Sequence, residues 1–164
     1  MLCKSRARHC LGAGLMLGRE ADLQGQEAPG LLKMDADLTA VIERLAQAGA
    51  GVWIVGGAVR DAILGLNSSE FDLAVDIPPH EVLEIFTDAI ATGLKYGTVT
   101  IRSGNSLFET TTTRTEAEYG DGRRPEIVEW GTSLADDLSR RDLTINAMAW
   151  DPLREILYDP YQGA

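Results

Sequence analysis

The sequence predicts a mixed α/β fold, a sheet carrying carboxylates with helices packed on it. Three observations predict it. An apolar run over 52–55 ends at a glycine pair, which is typical of a buried strand followed by a tight turn. Helical spacing over 58–66 is then followed by an apolar strand pattern over 70–75. Farther along, residues 97–114 alternate on both sides of a polar turn, which predicts a hairpin.

The remaining elements follow from apolar spacing and from turn residues. Apolar side chains that recur at three and four positions predict helices over 34–48 and 81–90. Acidic residues early and basic residues late, the order that the helix dipole favours, predict a helix over 135–141. A short apolar run predicts a closing strand over 156–158. A long polar segment, 115–133, is expected to be a loop, and loops of this length in compact domains are usually functional or disordered. Six apolar residues near the end are expected in the core: Leu143, Ile145, Ala147, Met148, Ala149 and Trp150.

Composition limits the class of protein. The chain has 164 residues, of which 45% are hydrophobic and 24% charged, as in ordinary globular domains. No apolar run approaches the roughly 18 residues that a membrane span needs, so no membrane partner is expected. Cys3 and Cys10 both lie in the N-terminal tail and form no disulfide framework. This usage fits a reducing compartment, and we expect the cytoplasm.

The first 33 residues differ from the rest. They are rich in Gly, Ala and Gln, and no acidic residue precedes Glu20. One interpretation is a targeting peptide. The other, which we favour, is a disordered extension or an upstream start codon, because glycines interrupt the apolar stretch 11–17. The domain itself is therefore expected over 34–164.

The glycine pair Gly56-Gly57 is a candidate phosphate site. It lies between a predicted strand and a predicted helix, where backbone N–H groups and the helix dipole favour an anion. Arg60 falls in the first turn of that helix and can form paired hydrogen bonds to phosphate oxygens. A simple strand exit is the alternative interpretation of the two glycines alone.

Two acidic residues follow at a spacing that suits a metal. Glu70 and Asp72 are two residues apart in a predicted strand, so their side chains point to the same face. At about 4 Å and an effective dielectric constant near 20, two like charges repel by roughly 4 kcal/mol. Mg²⁺ removes that cost, and proteins usually bind it through one or two carboxylates plus substrate phosphates. The alternative is a solvent-exposed acidic strand face. A phosphate site beside a metal site points to metal-assisted nucleotidyl transfer.

Three ordered motifs in this chain resemble one enzyme family. They are GGAVRD at 56–61, EFDLA at 70–74 and RRDLTINAMA at 140–149. Together they are similar to the head domain of the tRNA nucleotidyltransferase/poly(A) polymerase family, in the bacterial-type class of CCA-adding enzymes. The resemblance covers about 38–163. It implies a nucleotidyltransferase head fold and Mg²⁺-dependent transfer of nucleotides from CTP and ATP to the 3′ end of RNA, with tRNA as the expected substrate.

The resemblance also assigns roles to single residues. Arg141, the second arginine of its motif, would contact the triphosphate; the alternative is a surface salt bridge. Asp142 and Asn146 would bind or orient the sugar or the backbone. Glu109 precedes Arg114 by the spacing that an acidic residue shows in the family, so it would be a third carboxylate beside the metal pair. A half-exposed strand glutamate is the alternative for Glu109.

The loop over 115–133 resembles a flexible loop that helps the family switch between nucleotides. The residues that carry this likeness are Tyr119, Asp121, Gly122, Arg123, Arg124 and Pro125. A mobile surface loop is a compatible interpretation.

The sequence departs from the family in two respects. Glu70 stands where the family commonly has Asp, and a misplacement of about 1 Å can cost on the order of 100-fold in rate. The family's neck, body and tail, including the helix that selects the base, are absent from this sequence. Because the net charge is −10, we expect a C-terminal region or a separate chain to provide the grip on RNA. Two alternatives remain: poly(A) addition by the same chemistry, and a catalytically impaired fragment that binds nucleotide.

Overall fold

A computed structural model describes residues 23–116, 128–131 and 133–164. Among the helices in these ranges, none is long and apolar enough to cross a membrane. The helices are α1 (Ala36–Gln47), α2 (Gly57–Ile63), α3 (Pro79–Ile85) and α4 (Leu134–Ser139), with 3₁₀ turns at Leu94–Tyr96 and Thr144–Asn146. The strands are β1 (Gly25–Glu27), β2 (Val52–Val55), β3 (Asp72–Val75), β4 (Ile90–Gly93), β5 (Thr98–Ser103), β6 (Ser106–Thr112), β7 (Arg114–Glu116), β8 (Val128–Trp130), β9 (Ala149–Asp151) and β10 (Ile156–Tyr158).

Eight strands form one mixed sheet in the order β1-β10-β9-β2-β3-β6-β5-β4. The pair β3–β6 is parallel and the other neighbours in this sheet are antiparallel. The expected hairpin is confirmed as β5–β6, which turns between Ser103 and Ser106. The mixed α/β class is therefore confirmed, and β2 and β3 lie at the centre of the sheet.

The two faces of the sheet bury different helices. Alternate residues of each central strand point to opposite faces. On one face, Ile54 and Leu73 belong to a large apolar core with residues of α1, α2 and α3. On the other face, Val55 and Ala74 pack with Leu134 of α4 and its neighbours. We call this second side the α4 face. It matters for the site because Asp72 shares a strand face with Ala74.

Several predicted element boundaries were wrong. The helix expected over 58–66 covers Gly57–Ile63. The strand expected over 70–75 begins at Asp72, where pairing starts with both neighbouring strands. It cannot start earlier on the β2 side, because β2 ends at Val55 opposite Asp72 and the chain then turns at Gly56. The helix expected over 81–90 ends at Ile85, because Phe86 adopts an extended backbone (φ −118°, ψ 90°).

The N-terminal boundary was also placed too late. Residues 1–22 lie outside the described residues, but Gly25–Glu27 pairs with Ile156–Tyr158 at the edge of the sheet. Trp150 Nε1 then donates to the carbonyl oxygen of Ala28 at 3.2 Å. This segment is ordered because strand pairing satisfies its backbone groups.

The core prediction near the end of the chain was partly wrong. Ala147, Met148, Ala149 and Trp150 are buried as expected. Leu143 and Ile145 are 51% and 42% exposed, because the segment between α4 and β9 runs as a 3₁₀ turn along the surface. The segment 115–133 is likewise more regular at its ends than expected, since β7 and β8 pair with each other. The loop residues 119–125 discussed above lie outside the described residues.

Candidate functional site

The three predicted carboxylates lie in or beside the strands around the start of β3. Asp72 is the first residue of β3, and its register partner on β6 is Glu109. Partners in register on neighbouring strands share a face, so both point to the α4 face. Glu70 lies two residues before Asp72, just outside the strand. All three residues are exposed.

The charge of Asp72 is influenced by its neighbours. Although the residue as a whole is exposed, surrounding protein atoms displace water from the carboxyl group, and this burial raises the pKa of Asp72 above its ordinary value of 3.8. The positive charge of Arg141 opposes that rise in pKa, and the negative charge of Glu70 adds to it. Asp72 therefore lies within electrostatic range of both a predicted metal ligand and a predicted phosphate ligand.

The donor set suits a hard divalent cation. Carboxylate oxygens are the ligands that Mg²⁺ takes from proteins, usually with water and substrate phosphates completing its shell. Within 23–116, 128–131 and 133–164, no three His, Cys, Asp or Glu side chains group closely enough to hold a metal. The role of these acids as metal ligands therefore stays a prediction.

The turn after β2 requires glycine. Gly56 has φ +71° and ψ −129°, a conformation that side-chain-bearing residues avoid. Its N–H donates to the carbonyl oxygen of Met148 at 3.2 Å, which ties the turn to the segment leading into β9. A methyl group added at Gly56 would lie 3.2 Å from Arg141 Nη1, and one added at Gly57 would lie 3.5 Å from Arg60 Nη2. Two guanidinium groups thus approach the bare glycine pair.

Arg60 is fixed by two side chains. Its Nε and Nη2 donate to Asp61 Oδ1 at 2.9 and 2.7 Å. Its Nη1 donates to Asn146 Oδ1 at 2.9 Å. The side chain of Arg60 keeps 34% of its surface exposed, so solvent and ligands reach it.

Arg141 is fixed by the helix before it and by the turn after it. Its Nη2 donates to Asp137 Oδ2 at 3.1 Å, and its Nη1 donates to the carbonyl oxygen of Asn146 at 3.4 Å. Its Nε is buried without a hydrogen-bond partner in the described part of the chain. Asn146 therefore touches both arginines, one through its side chain and the other through its backbone.

Most of the predicted site residues converge in the structure. The glycine pair, Arg60, Arg141 and Asn146 form one group, and the interaction of Arg141 with Asp72 connects this group to the carboxylates. Asp142 is exposed, and its role stays a prediction.

Sequence reasoning missed two residues of the site, Asp61 and Asp137. The signal that could have found Asp137 was its spacing, four residues before Arg141 in a predicted helix, where residues four apart are neighbours.

The raised pKa of Asp72 gives a testable pH dependence of stability. Because the folded state holds this proton more tightly than the unfolded chain, ionisation of Asp72 lowers stability as the pH rises through its folded pKa. We expect Asp72→Asn to raise the thermal unfolding midpoint at pH 7. The gain should vanish below pH 3.8, the ordinary value, where Asp72 is protonated in both states. Unfolding curves at the two pH values test this, with the exposed Asp88→Asn as control. Equal shifts for both variants would contradict it.

Comparison with known proteins places this arrangement in context. Residues 52–164 match the family model described as the poly A polymerase head domain. A CCA-adding enzyme of Listeria monocytogenes is 46% identical over 123 residues, which are 75% of this chain and 31% of that protein. A CCA-adding enzyme of Ligilactobacillus salivarius is 44% identical over the same share of this chain and 30% of its own length. The chain thus spans about a third of the length of these relatives.

Solved structures give the same result. The crystal structure of the Bacillus stearothermophilus CCA-adding enzyme in complex with CTP matches with a TM-score of 0.67 and 35% identity, over 79% of this chain and 31% of that one. A tRNA nucleotidyltransferase complexed with a primer tRNA and an incoming ATP analog matches with a TM-score of 0.55 and 30% identity, over 75% of this chain and 35% of that one.

Proposed function

Because the chain belongs to the poly A polymerase head domain family, we propose that it is the catalytic head of a tRNA nucleotidyltransferase of the CCA-adding type. It would bind CTP or ATP with Mg²⁺ and transfer the nucleotide to the 3′ end of tRNA. One observation carries this proposal. Two arginines approach a bare glycine turn, and one of them also acts on the carboxyl group of Asp72.

The residues divide between triphosphate and metal. Arg60 and Arg141 supply the charge that attracts phosphate oxygens, and the missing side chains at Gly56 and Gly57 leave room for the triphosphate beside them. Glu70 and Asp72 would hold Mg²⁺, with Glu109 as the neighbouring third carboxylate on β6. With these groups close together, a cation bound to the acids would also attract an anion bound to the arginines.

The reaction is an in-line displacement at phosphorus. The 3′-hydroxyl oxygen of the RNA forms a bond to the α-phosphate, the bond to pyrophosphate breaks, and the hydroxyl proton is lost. When bound, Mg²⁺ would lower the pKa of the hydroxyl and neutralise charge on the phosphates. The arginines hold the triphosphate so that its α-phosphate faces the carboxylates. The contribution of this chain is therefore mostly orientation and charge stabilisation.

The grip on RNA is expected from elsewhere in the protein. The chain carries a net charge of −10, which does not favour contact with a phosphate backbone. Its relatives are about three times as long, so we assign tRNA binding to a region beyond this head, on the same or a separate chain. A cytoplasmic location would supply both tRNA and the nucleotide pools.

Incorporation of labelled CTP tests the proposed function. The chain is incubated with Mg²⁺ and a tRNA that lacks its terminal CCA, alone and with the C-terminal portion of a relative supplied in trans. We expect label at the tRNA 3′ end in the supplemented reaction, and its loss when Asp72→Asn replaces the native chain. No incorporation by the supplemented native chain, despite CTP binding, would favour a nucleotide-binding fragment. Long tracts of A from ATP would favour poly(A) addition.

The glutamate at position 70, where the family commonly has aspartate, favours the alternative of an impaired fragment. A single variant tests this alternative. Glu70 lies before β3, so strand pairing does not fix its backbone and the loop can adjust to its extra methylene group. We therefore expect Glu70→Asp to change the rate of CTP incorporation by less than about tenfold. A gain on the order of 100-fold in the same assay would show that the native glutamate misplaces the cation.

A further inference from the structure

Asp137 is a buried acid that the proposed chemistry does not use. It lies in the short helix α4, and its side chain is 11% exposed. Its Oδ2 accepts from Arg141 Nη2 at 3.1 Å, and its Oδ1 accepts from Arg140 Nη2 at 3.1 Å. A buried carboxylate needs such partners, and here both oxygens are occupied by guanidinium groups. Asp137 therefore faces the arginines and has no oxygen aimed at a substrate.

The orientation of Arg141 needs external support. Its Nε is buried without a hydrogen-bond partner among the residues described, which costs free energy in the observed pose. The other contacts of the guanidinium group must offset that cost. They are the ion pair with Asp137 and a longer hydrogen bond, 3.4 Å, to the carbonyl oxygen of Asn146. The charged contact is the stronger of the two.

The helix explains why this contact is available. Hydrogen bonds from Arg140 N to Asp137 O and from Arg141 N to Leu138 O continue the turn beyond Ser139. Residues four apart on such a turn are neighbours, so Asp137 lies against Arg141. Because α4 packs through Leu138 on the sheet face that carries Asp72, the ion pair fixes Arg141 beside both Gly56 and Asp72.

We propose that Asp137 is a positioning residue, whose carboxylate holds the Arg141 guanidinium group over Gly56 in the orientation that receives the triphosphate of a nucleotide. This inference rests on the proposed function, which supplies the anion. Two effects of removing the carboxylate compete. Losing its negative charge favours a bound anion, while releasing the guanidinium group disfavours it. The orientation effect dominates, because the two arginines already neutralise the carboxylate. Among the described residues, Arg141 forms its ion pair with Asp137, while Asp72 acts on it only through longer-range charge.

A double-mutant cycle tests the inference. Calorimetry measures the affinity of the full chain for CTP with Mg²⁺ in the native protein, Asp137→Asn, Arg141→Ala and the double variant. Asp136→Asn is the matched control, since it removes the same charge from an exposed position on the same helix. We expect Asp137→Asn to weaken CTP binding roughly tenfold in the native background and less than about twofold in the Arg141→Ala background, because partners in one network couple. The control should stay near the native affinity.

Each other outcome is decisive. An equal loss in both backgrounds would show that Asp137 acts on folding or on another group, and would overturn the inference. A gain in CTP affinity for Asp137→Asn would show that the negative charge of Asp137 matters more than its orienting effect on Arg141. That result would also overturn the inference. If Arg141→Ala itself binds CTP like the native chain, the proposed triphosphate contact fails instead. Urea unfolding of each variant accompanies the cycle. If Asp137→Asn does not fold, Asp137→Glu replaces it, because its longer side chain moves the carboxylate, and its loss of CTP affinity should likewise depend on Arg141.

Discussion

Replacing Asp72 with asparagine should abolish the strengthening of CTP binding by Mg²⁺. The asparagine amide keeps the size of the side chain but removes the charge that a hard cation needs. Even the substitution of groups that only orient a metal ligand typically costs 10- to 100-fold in metal affinity, so loss of a ligand is expected to cost at least about 100-fold. Calorimetric titrations of CTP with and without Mg²⁺ measure the effect, and the tRNA incorporation assay should lose activity in parallel.

The control for Asp72→Asn separates this site from the overall charge of the chain. Asp88→Asn removes the same charge from an exposed position beyond α3 and should retain the metal dependence. Asp72→Asn should at the same time be the more heat-stable protein at pH 7, because the raised pKa shows that the folded state disfavours this charge. Loss of binding together with a gain in stability is typical of a functional residue. An Asp72→Asn protein that binds CTP with native metal dependence would remove Asp72 from the site.

Alanine at Gly56 is expected to weaken CTP binding by about 100-fold. The backbone conformation at Gly56 is accessible almost only to glycine, so alanine costs on the order of 1–3 kcal/mol or shifts the turn. The added methyl group would also lie 3.2 Å from Arg141 Nη1, so the guanidinium group must move by a few tenths of an ångström. This movement adds to the shift of the strained turn, and a combined misplacement of about 1 Å can cost on the order of 100-fold. The measurement is CTP affinity at saturating Mg²⁺.

Gly65 provides the matched control for Gly56. It has the same φ of +71°, but a methyl group added there would have no neighbour within 4 Å. Gly65→Ala should therefore lose stability from backbone strain and keep the native affinity for CTP. If both variants lose stability alike and Gly56→Ala still binds CTP normally, the turn at Gly56 is structural and does not contribute to the triphosphate site.

Local pattern was sufficient to predict the central elements of the fold. The apolar run of β2 and the glycine pair after it identified the strand and the turn that carry the proposed phosphate site. The spacing of Glu70 and Asp72 suggested that both acids share a strand face. However, β3 starts only at Asp72, where its pairing with β2 and β6 begins. The start of β3 depends on where the neighbouring strands can pair with it, and the sequence of β3 alone does not contain that information.

Contacts between distant segments were beyond sequence reasoning. Periodicity does not reveal that Gly25–Glu27 pairs with Ile156–Tyr158, because a three-residue edge strand carries no pattern of its own. The same limit applies to Asn146. The resemblance implied that it binds or orients the sugar or the backbone, whereas in the structure it accepts hydrogen bonds from both Arg60 and Arg141. The arginines were predicted from motifs, whereas the groups that orient them became visible only in three dimensions.

A crystal of the chain grown with CTP and Mn²⁺, a cation that shares the oxygen ligands of Mg²⁺ and is visible by anomalous scattering, tests the central claim most directly. The predicted result is a manganese peak about 2.0–2.3 Å from oxygens of Asp72 or Glu70 and of the triphosphate, whose phosphates contact Arg141 beside Gly56. Manganese bound away from both acids, or a triphosphate remote from the glycine turn, would contradict it.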